Sequence, residues 1–211
     1  MNNDIQDFNS VKFNWVGDWA KMRADIDGNS IAVYDYNQGV RLTFADINKR
    51  ANLLANIMLT DFELSVGDTI CVLSKNRIEY IDLFFACCKI GVILAPISFH
   101  IDREVVLEQV NEIKPAMFFH EHIFSDFTTQ LELDLNPEKV INIDSFNERY
   151  AIARQDGLHA SDITTPLALN DIAMLIATSG TSGKPKICKV SHRQILWNIF
   201  EVISYGYWAE N

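Results

Sequence analysis

Five consecutive apolar residues at 173–177 run directly into Thr178-Ser179-Gly180-Thr181-Ser182-Gly183-Lys184-Pro185-Lys186, and no other stretch limits the possible folds as sharply. A short apolar run bounded by glycines suits a buried strand. The loop behind it packs four hydroxyls and two glycines into six residues. Glycines admit positive φ and close backbone approach, so successive N–H groups can converge on an anion while hydroxyls and ammonium groups add donors and charge. Ser191 then fits an N-cap with Gln194 three residues later, and Ile195, Ile199 and Val202 recur at helical spacing. The expected order is strand, phosphate loop, helix.

Charge sharpens this reading. The 211-residue chain carries a net charge of −10, yet residues 172–200 contain no Asp or Glu and include Lys184, Lys186, Lys189 and Arg193. A basic island in an acidic protein favours a small, highly charged anion such as a nucleoside triphosphate or pyrophosphate. The overall acidity excludes nucleic acid as a general partner, which would need clustered Lys and Arg over a wide surface. Residues 78–97 form the most apolar region, but Glu79, Asp82 and Lys89 interrupt it, so no membrane span is expected. The N-terminus shows neither a basic nor an apolar signal segment, and Cys71, Cys87, Cys88 and Cys188 form no metal or disulfide framework. These features point to the cytoplasm.

The rest of the chain alternates strand and helix signals. Residues 1–20, with Trp15 and Trp19, read as an arm or short helix on the domain. Residues 31–34 read as a strand with a turn at Asn37-Gln38-Gly39, and Thr43 can cap a helix whose apolar face is Ile47, Ala51, Leu54 and Met58. Strand 70–73 precedes a helix expected to start with an Asn76–Glu79 capping pair, to present Ile81, Phe84, Phe85 and Cys88, and to close at Gly91. Strand 92–97 follows, then a helix opened by Asp102 and ended by Pro115, then strand 116–119. His120-Glu121-His122 would place two imidazoles on one side of a strand, but no third ligand follows at a recognisable spacing, so no metal site is expected. A loop at 131–137, a strand at 140–143, a helix at 146–154 and a polar connector at 156–170 lead to the strand at 173. Alternation of this kind indicates a layered αβα domain with a mainly parallel sheet, and a ligand should bind outside the carboxyl ends of its strands.

A nucleotide-binding loop of the G-x-x-x-x-G-K-[ST] type is ruled out, because the first glycine falls on Thr178 and Pro185 follows the lysine. Thr178 through Lys186 instead match T-S-G-[ST]-[ST]-G-x-P-K without a gap, the signature loop of the adenylate-forming (AMP-binding) superfamily. Two further stretches, L-T-F-A-D-I-N-K-R-A-N from Leu42 and the run from Val66 to Pro96, resemble that family's first and second recurring motifs in the same order. One position departs: Ile187 stands where a glycine is usual.

The resemblance implies an AMP-forming ligase that activates a carboxylic acid with ATP and Mg2+ and passes the acyl group to coenzyme A or a carrier-protein phosphopantetheine. Carried over by position, Thr178, Ser179, Gly180, Thr181, Ser182, Gly183 and Lys184 would hold the β- and γ-phosphates, and Lys186 would add charge as pyrophosphate develops. Family members extend well past this loop, so residues 1–211 are expected to form the N-terminal portion of the large domain, without the C-terminal domain and its catalytic lysine, and to be inactive alone. The alternative is a non-catalytic anion-binding or assembly module that keeps the fold. Which acid is activated is not legible. Residues 195–208 carry more large apolar groups than one helical face can hold, so self-association is expected.

Overall fold

Thr69-Ile70-Cys71-Val72-Leu73 is apolar at nearly every position, the pattern of a strand buried on both faces, and it becomes the middle of the structure. The computed structural model describes residues 10–128, 137–146, 161–178 and 186–206. In chain order its elements are β1 (Lys12–Phe13), α1 (Trp19–Asp27), β2 (Ile31–Asp35), β3 (Val40–Thr43), α2 (Phe44–Thr60), β4 (Thr69–Leu73), α3 (Ile78–Ile90), β5 (Ile93–Ile97), α4 (Arg103–Ile113), β6 (Met117–His120), β7 (Val140–Asn142), β8 (Leu167–Ala168), β9 (Ile172–Thr178), β10 (Lys186–Ser191) and α5 (His192–Gly206). Six strands form one sheet in the order β10-β9-β5-β4-β6-β7, parallel throughout except for β10. The α/β class with a mainly parallel sheet is therefore as expected. Two short antiparallel pairs, β1 with β8 and β2 with β3, stand beside it.

Alternate residues of β4 serve different layers. Ile70 and Val72 join the core built by Leu53, Leu54 and Met58 of α2 with Leu83, Ala86 and Cys87 of α3. Cys71 and Leu73 pack on the other face with Val106 and Val110 of α4. The chain leaves β4 for β5 on one side, then crosses back to β6 on the other. The two parallel crossovers carry α3 and α4 on opposite faces, and the strand order reverses between β4 and β5.

The N-terminal arm is tied down by specific contacts. Lys89, fully buried in α3, forms an ion pair with Asp18, itself nearly buried. A lysine in such a place requires a partner, because an uncompensated buried charge costs several kcal/mol. Gly17, at φ +83°, lies so close to α3 that a Cβ there would stand 2.1 Å from the Cys88 carbonyl oxygen. Thr164 Oγ1 donates to the Asn14 carbonyl at 2.7 Å, which holds the connector against the same arm. At the end of α3, Gly91 takes the left-handed conformation at φ +72° with Leu167 against it, as its closing role requires.

Several local expectations hold and others do not. Thr43 and Asp46 form a full capping box, with Asp46 N donating to Thr43 Oγ1 at 3.1 Å and Thr43 N donating to Asp46 Oδ2 at 2.9 Å. That second bond holds the Asp46 carboxyl below its ordinary pKa. Helix α3, by contrast, has Arg77 at its N-cap with no side-chain capping bond, and Glu79 accepts from Arg77 Nε at 2.6 Å, so the Asn76–Glu79 pair does not form. Of the expected face, Cys88 is buried but Ile81, Phe84 and Phe85 are only half-buried, while Leu83, Ala86, Cys87 and Ile90 are also buried. The expected apolar face is real but is the second one, because the helix lies between two layers. Strand β7 ends at Asn142, and buried Ile143 begins a helical turn at 143–146. Of the loop expected at 131–137 only Pro137 is described, opening a 3₁₀ turn at Pro137–Lys139; residues 131–136, the helix beyond 146 and the arm before residue 10 lie outside the described residues.

Candidate functional site

The apolar run at 173–177 lies within β9, and the next described residues, from Lys186, form β10 antiparallel to it. Thr178 pairs with Lys186, Ala177 with Ile187 and Ile176 with Cys188. Thr178 Oγ1 donates to the Lys186 carbonyl at 3.3 Å and closes the base of the loop. The expected order of strand, loop and helix is therefore corrected to strand, loop, strand, helix. Helix α5 begins at the other end of β9, where His192 N donates to the Asp171 carbonyl at 3.1 Å and Arg193 N to that of Leu169 at 2.8 Å. Its N-terminus is about 20 Å from the loop, the length of a seven-residue strand, so its dipole does not serve an anion there. The Ser191–Gln194 capping pair does form, with Ser191 N donating to Gln194 Oε1 at 2.8 Å.

The strand is also less buried than its composition suggests. Among residues 172–178 only Ala173 is fully buried, and Ile176 is 40% exposed. β9 lies next to the edge strand, and its second half walls a crevice instead of a core.

That crevice, of about 650 Å³, opens at the carboxyl ends of β4, β5 and β9, where the strand order reverses. Ile176, Ala177 and Thr178 form the wall next to the loop, Ser74 and Asn76 come from the end of β4, and Ser98 and Phe99 from the end of β5. Tyr80 and Pro96 stand at its inner side. The Tyr80 hydroxyl donates to the Val72 carbonyl at 2.9 Å, and burial pushes its pKa up to about 12, so it is a fixed neutral phenol. Gln109 of α4 completes the wall. It is 4% exposed, and its amide oxygen has no hydrogen-bond partner among the described residues. The rim is set by Glu121, whose Oε2 accepts from Lys75 N at 2.9 Å and Ser74 Oγ at 3.2 Å, tying the end of β4 to that of β6. An amphipathic crevice beside a loop rich in hydroxyls and ammonium groups can bind and orient an anionic ligand with an apolar portion. The buried thiols nearby are no nucleophiles, since burial drives the pKa of Cys71, Cys87 and Cys88 well up.

Of the residues expected to bind phosphate, Thr178 and Lys186 face each other across the hairpin base, with Thr178 on the crevice. Ser179, Gly180, Thr181, Ser182, Gly183 and Lys184 lie outside the described residues. Ile187 is half-buried in β10 opposite small Ala177, a strand position that a β-branched side chain suits. The basic island is spread out: Lys186 is at the loop, Lys189 in mid-strand and Arg193 at the far end. His192 is not at the crevice. It is fully buried, with its ring 5.4 Å from that of Trp19 and neither ring nitrogen bonded among the described residues. Burial lowers its pKa to about 4, against the opposing pull of Asp171.

His120 ends β6 as a buried residue, and the backbone turns into a 3₁₀ segment at His122–Phe124, so the two histidines do not share a strand face. Among the described residues no group of three or more His, Cys, Asp or Glu side chains is arranged to hold a metal, and no helix is long and apolar enough to cross a membrane. Sequence reasoning placed the ligand at the strand ends but did not single out Gln109, Tyr80 or Ser98. Asn76 was read as a cap. The signal that could have found them is the run of polar residues just after each apolar strand, at Ser74-Lys75-Asn76 and Ser98.

Comparison with known proteins agrees with this geometry. Long-chain fatty acid transport protein 6 of Mus musculus is 26% identical over 184 residues, covering 82% of this chain and 28% of its own. Feruloyl-CoA synthase of Amycolatopsis sp is 25% identical over 188 residues, covering 89% of this chain and 35% of its own. The chain thus spans about a third or less of the curated relatives it matches. The structure of VinN with 3-methylaspartate superposes with a TM-score of 0.78 at 20% identity, over 92% of this chain and 52% of that one, and supports the fold. The profile of the family described as AMP-binding enzyme matches residues 21–210, nearly the whole length. The chain belongs to the AMP-binding enzyme family.

Proposed function

We propose that this chain forms the phosphate-binding part of an AMP-forming acid–thiol ligase. Such an enzyme activates a carboxylic acid with ATP and passes the acyl group to coenzyme A or a carrier-protein phosphopantetheine. The observation that carries this reading is the pairing of Thr178 with Lys186 at the carboxyl end of β9, with Thr178 lining the crevice at the strand-order reversal. A carboxylate oxygen attacks the α-phosphorus, the bond to the bridging oxygen breaks, and pyrophosphate leaves with the electron pair. The thiolate of the acceptor then attacks the acyl carbon and AMP leaves.

In this reading Thr178, Ser179, Gly180, Thr181, Ser182, Gly183 and Lys184 hold the β- and γ-phosphates, and Lys186 offsets the charge that grows on pyrophosphate. Mg2+ enters with the triphosphate. Chemistry of this kind rests on positioning and on donors preorganised around developing charge, with no protein nucleophile required. The crevice beside the loop orients what is attached to the reacting phosphate, with Tyr80 as an immobile wall. The conversion is assigned to a complete AMP-binding domain, and residues 1–211 alone are expected to bind ATP weakly without forming acyl-adenylate. We place the protein in the cytoplasm, consistent with its four free cysteines.

Calorimetric titration with Mg-ATP tests the phosphate assignment. Substituting Lys184→Ala and Lys186→Ala together is expected to weaken binding about tenfold or more, each charge-assisted contact contributing about 1.5–3 kcal/mol in a protein site. Carboxylate-dependent exchange of labelled pyrophosphate into ATP, with fatty, aryl and amino acids, tests the activity in any longer form that carries the remaining length of the relatives. Binding that survives the double substitution would place the anion elsewhere and favour a non-catalytic assembly module.

A further inference from the structure

The crevice beside Thr178 continues into a second cavity. An apolar groove of about 630 Å³ lies on the α2 and α3 side of the sheet, and Tyr80 and Pro96 line both it and the crevice. Alternate residues of a strand share a face, so Met174, Ile176 and Thr178 of β9 form one floor, with Met174 in the groove and Ile176 and Thr178 in the crevice. On β5, Leu94 pairs with Met174 and lines the groove, Pro96 lies at the join, and Ser98 just beyond the strand lines the crevice. This trough follows β9 for about 13 Å from Thr178 to Met174, at about 3.3 Å per residue, and goes on to α3 and the start of α5 at Phe84, Phe85 and Ile195. Its polarity falls along that path. Ser74, Asn76, Ser98 and Gln109 line the crevice, whereas among the described residues the one charged side chain lining the groove is Arg23, whose guanidinium is stacked 4.4 Å over Phe44.

We propose that the acid activated at this site carries a long hydrocarbon chain, an inference that rests on the reading of the loop as the phosphate site. The carboxylate lies near Thr178, and the chain runs past Ile176, between Tyr80 and Pro96, and over Met174 into the groove. The Tyr80 ring, held by its bond to the Val72 carbonyl, fixes the join between the two cavities. Because the floor is apolar along this path, affinity for the chain follows the length buried. A surface that only received another part of the protein would need neither an opening into the ligand crevice nor a polar end at the loop. Protein packed across α3 and α5 would roof the trough, while the floor and the join at Tyr80 are set by the residues named.

Calorimetric titration of the 211-residue chain with butyrate, octanoate, dodecanoate and hexadecanoate, each below the concentration at which it forms micelles, should show affinity rising with length, by roughly fourfold for each methylene that enters the trough. Ile176→Trp sets a large ring across the floor at a strand position that is 40% exposed and accepts an aromatic side chain. It should weaken dodecanoate and hexadecanoate by about tenfold or more, as the methylenes beyond it lose their place. Phe200→Ser, on α5 but lining neither cavity and 59% exposed, should leave every affinity unchanged. No binding of hexadecanoate, or affinity that ignores chain length, would overturn the proposal. So would long acids that respond to Phe200→Ser and not to Ile176→Trp, since they would then adhere to the outer surface of α5. Exchange of labelled pyrophosphate into ATP by a longer form separates this inference from the reading it rests on. Exchange that ignores both chain length and Ile176→Trp would show that protein fills the groove and would refute the chain assignment alone, whereas no exchange with any acid would refute the reading of the loop.

Discussion

His192 offers a measurable link between burial and stability. Its side chain is fully buried beside Trp19, both nitrogens lack partners among the described residues, and its pKa falls from 6.5 to about 4. In the unfolded chain the imidazole takes a proton near its ordinary pKa, while in the folded chain it resists until about pH 4. Between those values the unfolded state binds more protons, so His192 leaves stability untouched above about pH 7 and removes it progressively as pH falls. The full difference corresponds to about 3 kcal/mol, of which about 2 kcal/mol is already lost at pH 5. His192→Phe keeps an aromatic ring against Trp19 and abolishes the proton uptake. Urea unfolding of both proteins at intervals from pH 7.5 to about 4.5 isolates the effect, because the carboxylates contribute equally to each curve. The variant's advantage should grow by about 2 kcal/mol between neutral pH and pH 5. Curves that stay parallel would show that the imidazole finds water or a partner in the folded chain, and the burial argument would fail.

Gly17→Ala should destabilise the chain by about 3 kcal/mol or more, since it combines positive φ with a Cβ placed on the Cys88 carbonyl; a near-normal urea midpoint would show that the arm is not held as described. Thr43→Ala removes the capping box of α2 and should cost about 1 kcal/mol in the same assay. Of the four cysteines only Cys188 is exposed, so a thiol reagent should modify one group per native chain and the other three only on unfolding. Fast modification of a second thiol would contradict the burial of Cys71, Cys87 and Cys88.

Much of this architecture was legible because its signals are local. The period-2 and period-3.6 patterns, the Thr43 cap and the Gly91 stop act within a few residues, so β4, α2, α3 and the strand at 173 were found close to where they stand. What escaped depends on partners distant in sequence. Lys89 looked like a break in an apolar run, and only Asp18, 71 residues earlier, makes it a core residue. Residues 186–191 carry three polar side chains among apolar ones and read as the tail of a loop, yet they form a strand because β9 needs an antiparallel neighbour.

The same limit applies to the site. Composition singled out 178–186 as a candidate anion loop, since glycines, hydroxyls and lysines fall together there. It could not show that α5 starts at the far end of β9, away from Thr178 and Lys186. Nor could it show Gln109, contributed by a helix that reads as ordinary, lining the crevice with an amide oxygen that has no hydrogen-bond partner among the described residues. A buried carbonyl of that kind is costly unless something donates to it.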